Sequence, residues 1–221
     1  MQKKPTYPVF ILILVFINLY GCSHLSAVPV PSVSSTTSSD AIYHYSLGVL
    51  LRLDGKIEEA TNELKKAVAA DPGSSYLLTE LVSLYTEQGD LNQAISLGEE
   101  MLSKNPDNIE LHLIMGGLYL NIHENKKAIT EHKKVIELDP KNLIAHLYLA
   151  IIYAEEKRFD KSEETFKKML KIDPDNIMGI YYYGKVLAKM SRLEDAEKMF
   201  KKAISLNPYF EMSLFDLTAL Y

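Results

Sequence analysis

Apolar and polar residues alternate along most of this chain with the spacing of amphipathic helices. From Ala41 to Tyr221, apolar residues return every three or four positions. An Asp-Pro or Asn-Pro pair interrupts this pattern, and the prolines lie 34 residues apart, at Pro72, Pro106, Pro140, Pro174 and Pro208. The residue before a proline is driven out of the helical region, so each pair predicts the end of a helix. The pattern therefore predicts an all-α chain built from a repeated pair of helices.

Small residues recur at two fixed positions of this repeat. One is occupied by Ala60, Ala94, Ala128, Ser162 and Ala196, and the other by Gly48, Gly116, Ala150 and Gly184, with Val82 as an exception. Small side chains at both positions let two antiparallel helices approach closely. Large residues fill the space between neighbouring pairs, at Tyr85, Tyr119, Tyr153, Phe166 and Phe200.

These landmarks resemble the tetratricopeptide repeat family over residues 41–221. The resemblance implies a right-handed superhelical solenoid of antiparallel helix pairs, whose first helices line a concave groove. It implies five complete repeats at residues 41–210, namely 41–74, 75–108, 109–142, 143–176 and 177–210. Residues 211–221 begin an incomplete sixth repeat with an apolar face. Either the chain is a fragment of a longer array, which we prefer, or a partner or a second copy covers this end.

The N-terminal segment has the layout of an export signal. Lys3 and Lys4 precede an apolar run at residues 9–17, and Leu19-Tyr20-Gly21-Cys22 follows. The run is shorter than the roughly 20 residues of a spanning helix. The segment resembles a bacterial lipoprotein signal at residues 1–21, although Tyr20 departs from the usual small residue. The resemblance implies acylation of Cys22 and cleavage before it; the alternative is an incidental cysteine after an ordinary signal peptide.

Residues 22–40 are rich in Ser, Thr and Pro, and we expect them to form a flexible tether. Together these features predict a lipid-anchored protein of the bacterial cell envelope, at the outer membrane facing the periplasm. The choice between inner and outer membrane stays open.

Composition and motifs argue against nucleic-acid binding, metal binding and catalysis. The formal net charge is −5, which disfavours a phosphate backbone as partner. His44, His112 and His146 share the fourth position of their repeats, and His132 takes an aromatic position, so we expect all four to pack. We find no zinc-helix spacing, glycine-rich phosphate loop or nucleophile elbow. The sequence predicts a protein that is not an enzyme and needs no cofactor.

The family resemblance places certain first-helix residues on the concave groove. They are Tyr45, Val49, Thr79, Ser83, Leu113, Leu147, Tyr148, Ile151, Tyr181, Tyr182 and Lys185. Aromatic side chains suit a peptide-binding groove; the alternative for any one of these residues is packing between helices. The clamp that holds a C-terminal carboxylate is excluded, because its positions carry Tyr45, Val49, Glu80, Glu110 and Ile114.

The expected function is that of a membrane-anchored scaffold that binds a segment of a partner protein. The layout resembles repeat lipoproteins that act as pilotins or in outer-membrane assembly, secretion or polysaccharide export. Two alternatives stay open. One is the N-terminal part of a longer enzyme, such as a glycosyltransferase, and the other is a structural protein that self-associates through its C-terminal helix.

Overall fold

A computed structural model describes residues 38–220. This part of the chain consists of eleven α-helices and contains no strand. The helices are α1 (Ser39–Leu53), α2 (Ile57–Ala70), α3 (Ser75–Gln88), α4 (Leu91–Lys104), α5 (Ile109–Asn121), α6 (Asn125–Leu138), α7 (Leu143–Glu155), α8 (Phe159–Ile172), α9 (Ile177–Lys189), α10 (Leu193–Leu206) and α11 (Glu211–Ala219). The predicted all-α solenoid of helix pairs is confirmed.

The chain divides into two compact units, which we describe separately. The first unit comprises residues 1–106 and 121–123, and its described part holds α1 to α4. The second unit comprises residues 107–120 and 124–221 and holds most of α5 together with α6 to α11.

The residues that mark the 34-residue period sit at helix ends. Asp71, Asn105, Asp139, Asp173 and Asn207 end α2, α4, α6, α8 and α10 in extended or other non-helical conformations. Three residues further on, a polar side chain caps the next helix in the first four cases, at Ser74, Asn108, Asn142 and Asn176, whereas Phe210 gives α11 no side-chain cap. For example, the Asn142 side chain accepts from the Ala145 amide at 3.0 Å, and Asn176 accepts from the Gly179 amide at 2.9 Å. The sequence therefore carries both the stop and the start of consecutive helices.

The turn inside each repeat places one residue in the left-handed region. Gly55 (φ 76°) and Gly89 (φ 81°) occupy this position in the first two repeats. His123 (φ 61°), Lys157 (φ 59°) and Ser191 (φ 62°) occupy it in the next three, where a side chain makes the conformation costlier. Backbone preference alone would favour glycine in these later turns, so it does not explain the residues that occupy them.

Close approach of the two helices explains the small residues. A Cβ added to Gly116 would lie 2.7 Å from the His132 ring, and one added to Gly184 would lie 2.8 Å from Phe200. The facing small positions, from Ala60 to Ala196, are fully buried. The predicted close packing within repeats is confirmed.

Helix α1 begins at Ser39, because the Ser38 hydroxyl accepts from the Asp40 amide at 3.2 Å. The predicted tether, residues 22–40, is therefore two residues too long at its C-terminal end. The predicted signal peptide, Cys22 and the rest of the tether lie outside the described residues. At the other end, α11 lies where the incomplete sixth repeat is predicted.

Candidate functional site

The first helices of the second unit bring together three tyrosines and two charged residues. We call this set the tyrosine surface; it consists of Tyr148, Tyr181, Tyr182, Lys185 and Asp216. Tyr181 and Tyr182 contact each other edge to face, with ring centroids 5.1 Å apart. The Tyr181 hydroxyl donates to the Asp216 carboxylate at 2.8 Å, and the Lys185 ammonium lies 5.4 Å from the centre of the Tyr181 ring. Three consecutive first helices, α7, α9 and α11, thus contribute to one aromatic and charged surface.

Tyr148 is held in place by a buried histidine. Its ring stacks on His132 of α6, with centroids 5.4 Å apart and an interplanar angle of 8°. Burial raises the pKa of Tyr148, so its hydroxyl is neutral at physiological pH.

Burial and nearby carboxylates keep the other tyrosines protonated too. Burial is the main cause that raises the pKa of Tyr181, and the hydrogen bond to Asp216 adds to it. Burial likewise raises the pKa of Tyr182, with the fields of Tyr148, Asp216 and Glu155 acting in the same direction. All three hydroxyls are therefore protonated and neutral at physiological pH.

The predicted groove residues of the second unit differ in how much surface they offer. Leu113, Tyr148, Ile151 and Lys185 are half-buried, whereas Leu147, Tyr181 and Tyr182 are buried, with Tyr181 only 4% exposed. Tyr181 is covered because the Phe210 ring packs on it, with centroids 5.3 Å apart, and because Asp216 binds its hydroxyl. We expected Leu147, Tyr181 and Tyr182 to present free groove surface, and this expectation is corrected. These three side chains are buried beneath the accessible residues.

The tyrosine surface continues into an apolar cleft at the C-terminal helix. A cleft of about 580 Å³ is lined by Tyr181 and by α11 residues that include Met212, Leu214 and Phe215. The Phe215 side chain is 75% exposed and Leu214 is 40% exposed. This part of the second unit offers apolar contact area to solvent.

Around the predicted groove residue Tyr45, the first unit has polar side chains that pair with one another. The Tyr45 and Tyr76 hydroxyls lie 2.5 Å apart. The Arg52 guanidinium donates to Glu80 at 3.1 Å and also pairs with Glu87. These contacts engage the side chains of Tyr45, Arg52 and Glu80 within the unit itself.

The other predicted residues of the first unit add little accessible surface. Thr79 is 3% exposed and donates its hydroxyl to the Ser75 carbonyl, so its expected place on a free groove is also corrected. Ser83 donates to the Thr79 carbonyl, as serine and threonine commonly do inside helices. Val49 is half-buried.

His112, His132 and His146 are buried, as expected for packing residues, and His44 is half-buried. Two of these four histidines have acidic partners that the sequence reading missed. His44 Nδ1 lies 2.7 Å from Glu63, and His112 Nδ1 lies 2.5 Å from Glu131. Both glutamates come 19 residues after their histidine, so the recurring spacing could have revealed them. Within residues 38–220, no group of three potential ligands is placed to hold a metal ion.

Asp216 and Glu155 are the functional candidates that sequence reasoning missed. Asp216 follows Tyr182 by one repeat period, so aligning the incomplete sixth repeat with the fifth could have found it.

Among the described helices, none has the length and apolar character needed to cross a bilayer.

Comparison with known proteins agrees with the repeat architecture. Family models described as tetratricopeptide repeat match residues 51–97, 85–131, 123–179 and 181–210. No curated protein matches the sequence significantly.

Solved structures of repeat proteins superpose on most of the chain. One is a crystal structure of MamA protein (25% identity, 76% of this chain and 92% of that chain, TM-score 0.67). Another is a tetratricopeptide repeat protein from Parabacteroides merdae ATCC 43184 (20% identity, 83% of this chain and 73% of that chain, TM-score 0.75). A third is YrrB, described as a repeat protein with an unusual peptide-binding site (22% identity, 80% of this chain and 91% of that chain, TM-score 0.64).

Proposed function

The chain belongs to the tetratricopeptide repeat family, whose fold is a protein-interaction scaffold and is generally not enzymatic. We propose that its second unit holds a segment of a partner protein in the bacterial cell envelope. The observation that carries this proposal is the tyrosine surface together with the exposed apolar cleft beside it. Aromatic residues with neutral hydroxyls combine a large contact area with hydrogen bonding, which is typical of binding hot spots.

The arrangement favours an amphipathic or extended segment with apolar anchors. Tyr148 and Ile151 lie three residues apart on α7, so they share one helix face. Phe215 and Leu214 offer apolar surface at the edge of the same unit. Lys185 and Asp216, whose charged atoms lie 3.9 Å apart, would orient polar groups of the segment. The peptide-binding site named for YrrB is a property of that protein; here it supports only the type of ligand.

Anchoring is the second part of the proposal. Cys22 would carry the acyl chains, and the Ser/Thr/Pro-rich residues after it would link the lipid to the repeats. We place the anchored protein at the outer membrane, facing the periplasm, on the basis of the sequence pattern alone. The pathway proposed is envelope assembly, secretion or polysaccharide export.

The test is affinity capture from crosslinked bacterial envelopes. Wild type is compared with a charge-neutral surface variant, Ile151→Ser and Phe215→Ser, and with a matched control, Leu193→Ser and Leu206→Ser, whose side chains are 50% and 38% exposed on the second helix α10. We expect the surface variant to lose the partner that wild type and the control retain. Equal capture by all three chains would contradict the proposal, and circular dichroism checks that each variant keeps its helices.

The same preparation tests the anchor. We expect Cys22→Ser to remove labelled palmitate and to shift the protein from the membrane to the soluble fraction. Unchanged labelling would show that Cys22 is not the acylated residue, without bearing on partner capture.

Self-association through α11 is a second candidate, favoured by the exposure of Phe215 on this helix (75%) and of Tyr209 in the turn before it (88%). Sedimentation distinguishes it from capture of a different protein: a monomer at all concentrations excludes it. The alternative of a longer enzyme stays a prediction.

A further inference from the structure

The second unit contains a basic cleft on the edge formed by the turns inside the fourth and fifth repeats. The cleft has a volume of about 650 Å³ and is lined by Lys157, Arg158, Lys161 and Lys189, together with the single carboxylate Asp160. Neither the tyrosine surface nor the partner-binding proposal includes these residues. Four cationic side chains around one cavity require an explanation in a chain whose formal net charge is −5.

The repeat scaffold does not require these charges. The same four positions three repeats earlier carry Gly55, Lys56, Glu59 and Glu87. The conserved geometry of the turn therefore accepts neutral and acidic residues equally well. The concentration of positive charge is a property of the junction between the fourth and fifth repeats.

Three of the four cations have no close ion-pair partner among residues 38–220, although the Lys161 charge helps to lower the pKa of Glu164. In residues 38–220, the Lys157, Lys161 and Lys189 ammonium groups make no ion pair. Many other lysines of the second unit do: Lys168 pairs with Glu164 at 2.7 Å, and Lys134 pairs with Asp107 at 3.0 Å. The unpaired positive charges repel each other, and a bound anion would remove this repulsion.

The surrounding groups add rigidity and donors. Arg158 is held by Glu156 at 2.9 Å and lies over the Tyr153 ring, 4.5 Å from its centre. Lys161 also lies over Tyr153, at 6.0 Å. Arg158 is the N-cap of α8, and no side chain caps that end, as is also the case for α2, α4, α6 and α10.

Lys157 itself occupies a costly backbone position. Its φ is 59°, in the left-handed region where the first two repeats have glycine. A glycine would relieve this strain, so the fold alone does not favour lysine here. The lysine places one of the cleft's unpaired charges.

We propose that this cleft binds a phosphate group, the chemistry shared by a free phosphate ester and a phospholipid headgroup. Several lysines around one cavity suit a multiply charged anion with many acceptor oxygens better than a single carboxylate. The volume exceeds that of a phosphate alone, which leaves room for the rest of the ligand. The site is independent of the proposed partner surface.

The test removes the three unpaired charges without disturbing the fold. In the full chain, Lys157→Gly introduces the residue found in the first two repeats, while Lys161→Gln and Lys189→Gln replace each ammonium group by a neutral amide on a slightly shorter side chain. The matched control, Lys133→Gln with Lys168→Gln and Lys171→Gln, removes three exposed charges from second helices of the same unit. All variants keep residues 1–37, so any contribution of that segment cancels in the comparison.

Two probes distinguish the sources of phosphate. Glycerol 3-phosphate is titrated by calorimetry, and vesicles of phosphatidylglycerol with an equal amount of phosphatidylcholine are compared with phosphatidylcholine alone by sedimentation. Each lysine near an anionic surface contributes roughly a factor of five in affinity, so we expect the cleft variant to bind at least about tenfold more weakly than the control.

The outcomes are decisive in both directions. A selective loss with glycerol 3-phosphate supports a free ester as ligand, and a selective loss with vesicles alone supports a headgroup. Binding of neither probe by wild type, or equal weakening in the cleft variant and the control, overturns the proposal.

Discussion

The two units are built from the same type of repeat, but the first helices of their repeats carry different surfaces. In the first unit, Arg52 pairs with Glu80 and Glu87, and Tyr45 pairs with Tyr76. In the second unit the corresponding region holds tyrosines, an exposed phenylalanine and a buried histidine. Polar groups that satisfy each other stabilise the junction between repeats, whereas exposed aromatic area is available to a ligand. One repeat scaffold can therefore use the polar pairs of one part for its own stability and the exposed apolar surface of another part for binding.

The largest expected effect concerns His132, which is buried in the second unit with neither ring nitrogen hydrogen-bonded. Burial lowers the pKa of His132 from 6.5 to about 4. The unfolded chain therefore binds more protons than the folded chain between these values, and stability falls as the pH falls through this window. From pH 7 to pH 4.5 we expect this group to remove roughly 2–3 kcal/mol.

His132→Phe isolates this contribution, because Phe166 and Phe200 fill the same position in the next two repeats. The measurement is the urea unfolding free energy of both proteins at several pH values. The curves should diverge below pH 6.5 and differ most near pH 4. Parallel curves would mean that His132 is protonated in the folded unit, or that it has a polar partner there.

An intermediate effect compares two adjacent glycines of α5. Gly116→Ala places a Cβ 2.7 Å from the His132 ring, and we expect it to cost about 1–2 kcal/mol because that ring is packed against Tyr148. Gly117 has no atom within 4 Å of an added Cβ, so Gly117→Ala should stabilise the helix by about 0.5–1 kcal/mol. Thermal unfolding measures both. Equal effects would show that the two helices of the third repeat do not approach as described.

The smallest expected effect tests the first unit. Arg52→Met should destabilise it by about 0.5–1 kcal/mol, because Arg52 and its partners are partly exposed, and the loss should shrink at high salt. Lys185→Met in the second unit is the matched change, and its 3.9 Å contact with Asp216 predicts a smaller loss. If Lys185→Met were the more costly change, electrostatic pairing would not distinguish the two units.

The pattern of residues allowed most of the fold to be predicted and only part of the candidate site. Helix ends follow from proline and asparagine chemistry, which acts over a few residues. The surface residues depend on what covers them. Tyr181 was expected on a free surface, but Phe210 and Asp216 cover it, and no local pattern shows that α11 packs there.

The 34-residue pattern alone allowed the period, the ends of the second helices and the small residues at close approaches to be predicted. These features are local or repeat at a fixed interval, so one chain segment reports on the next. Three features depend on tertiary packing. They are the division of the tyrosines into buried and accessible ones, the ion pairs of Arg52 with Glu80 and Glu87, and the cleft that four cations share. Such arrangements join side chains about 30 residues apart, and their geometry depends on how neighbouring repeats pack rather than on the repeat itself.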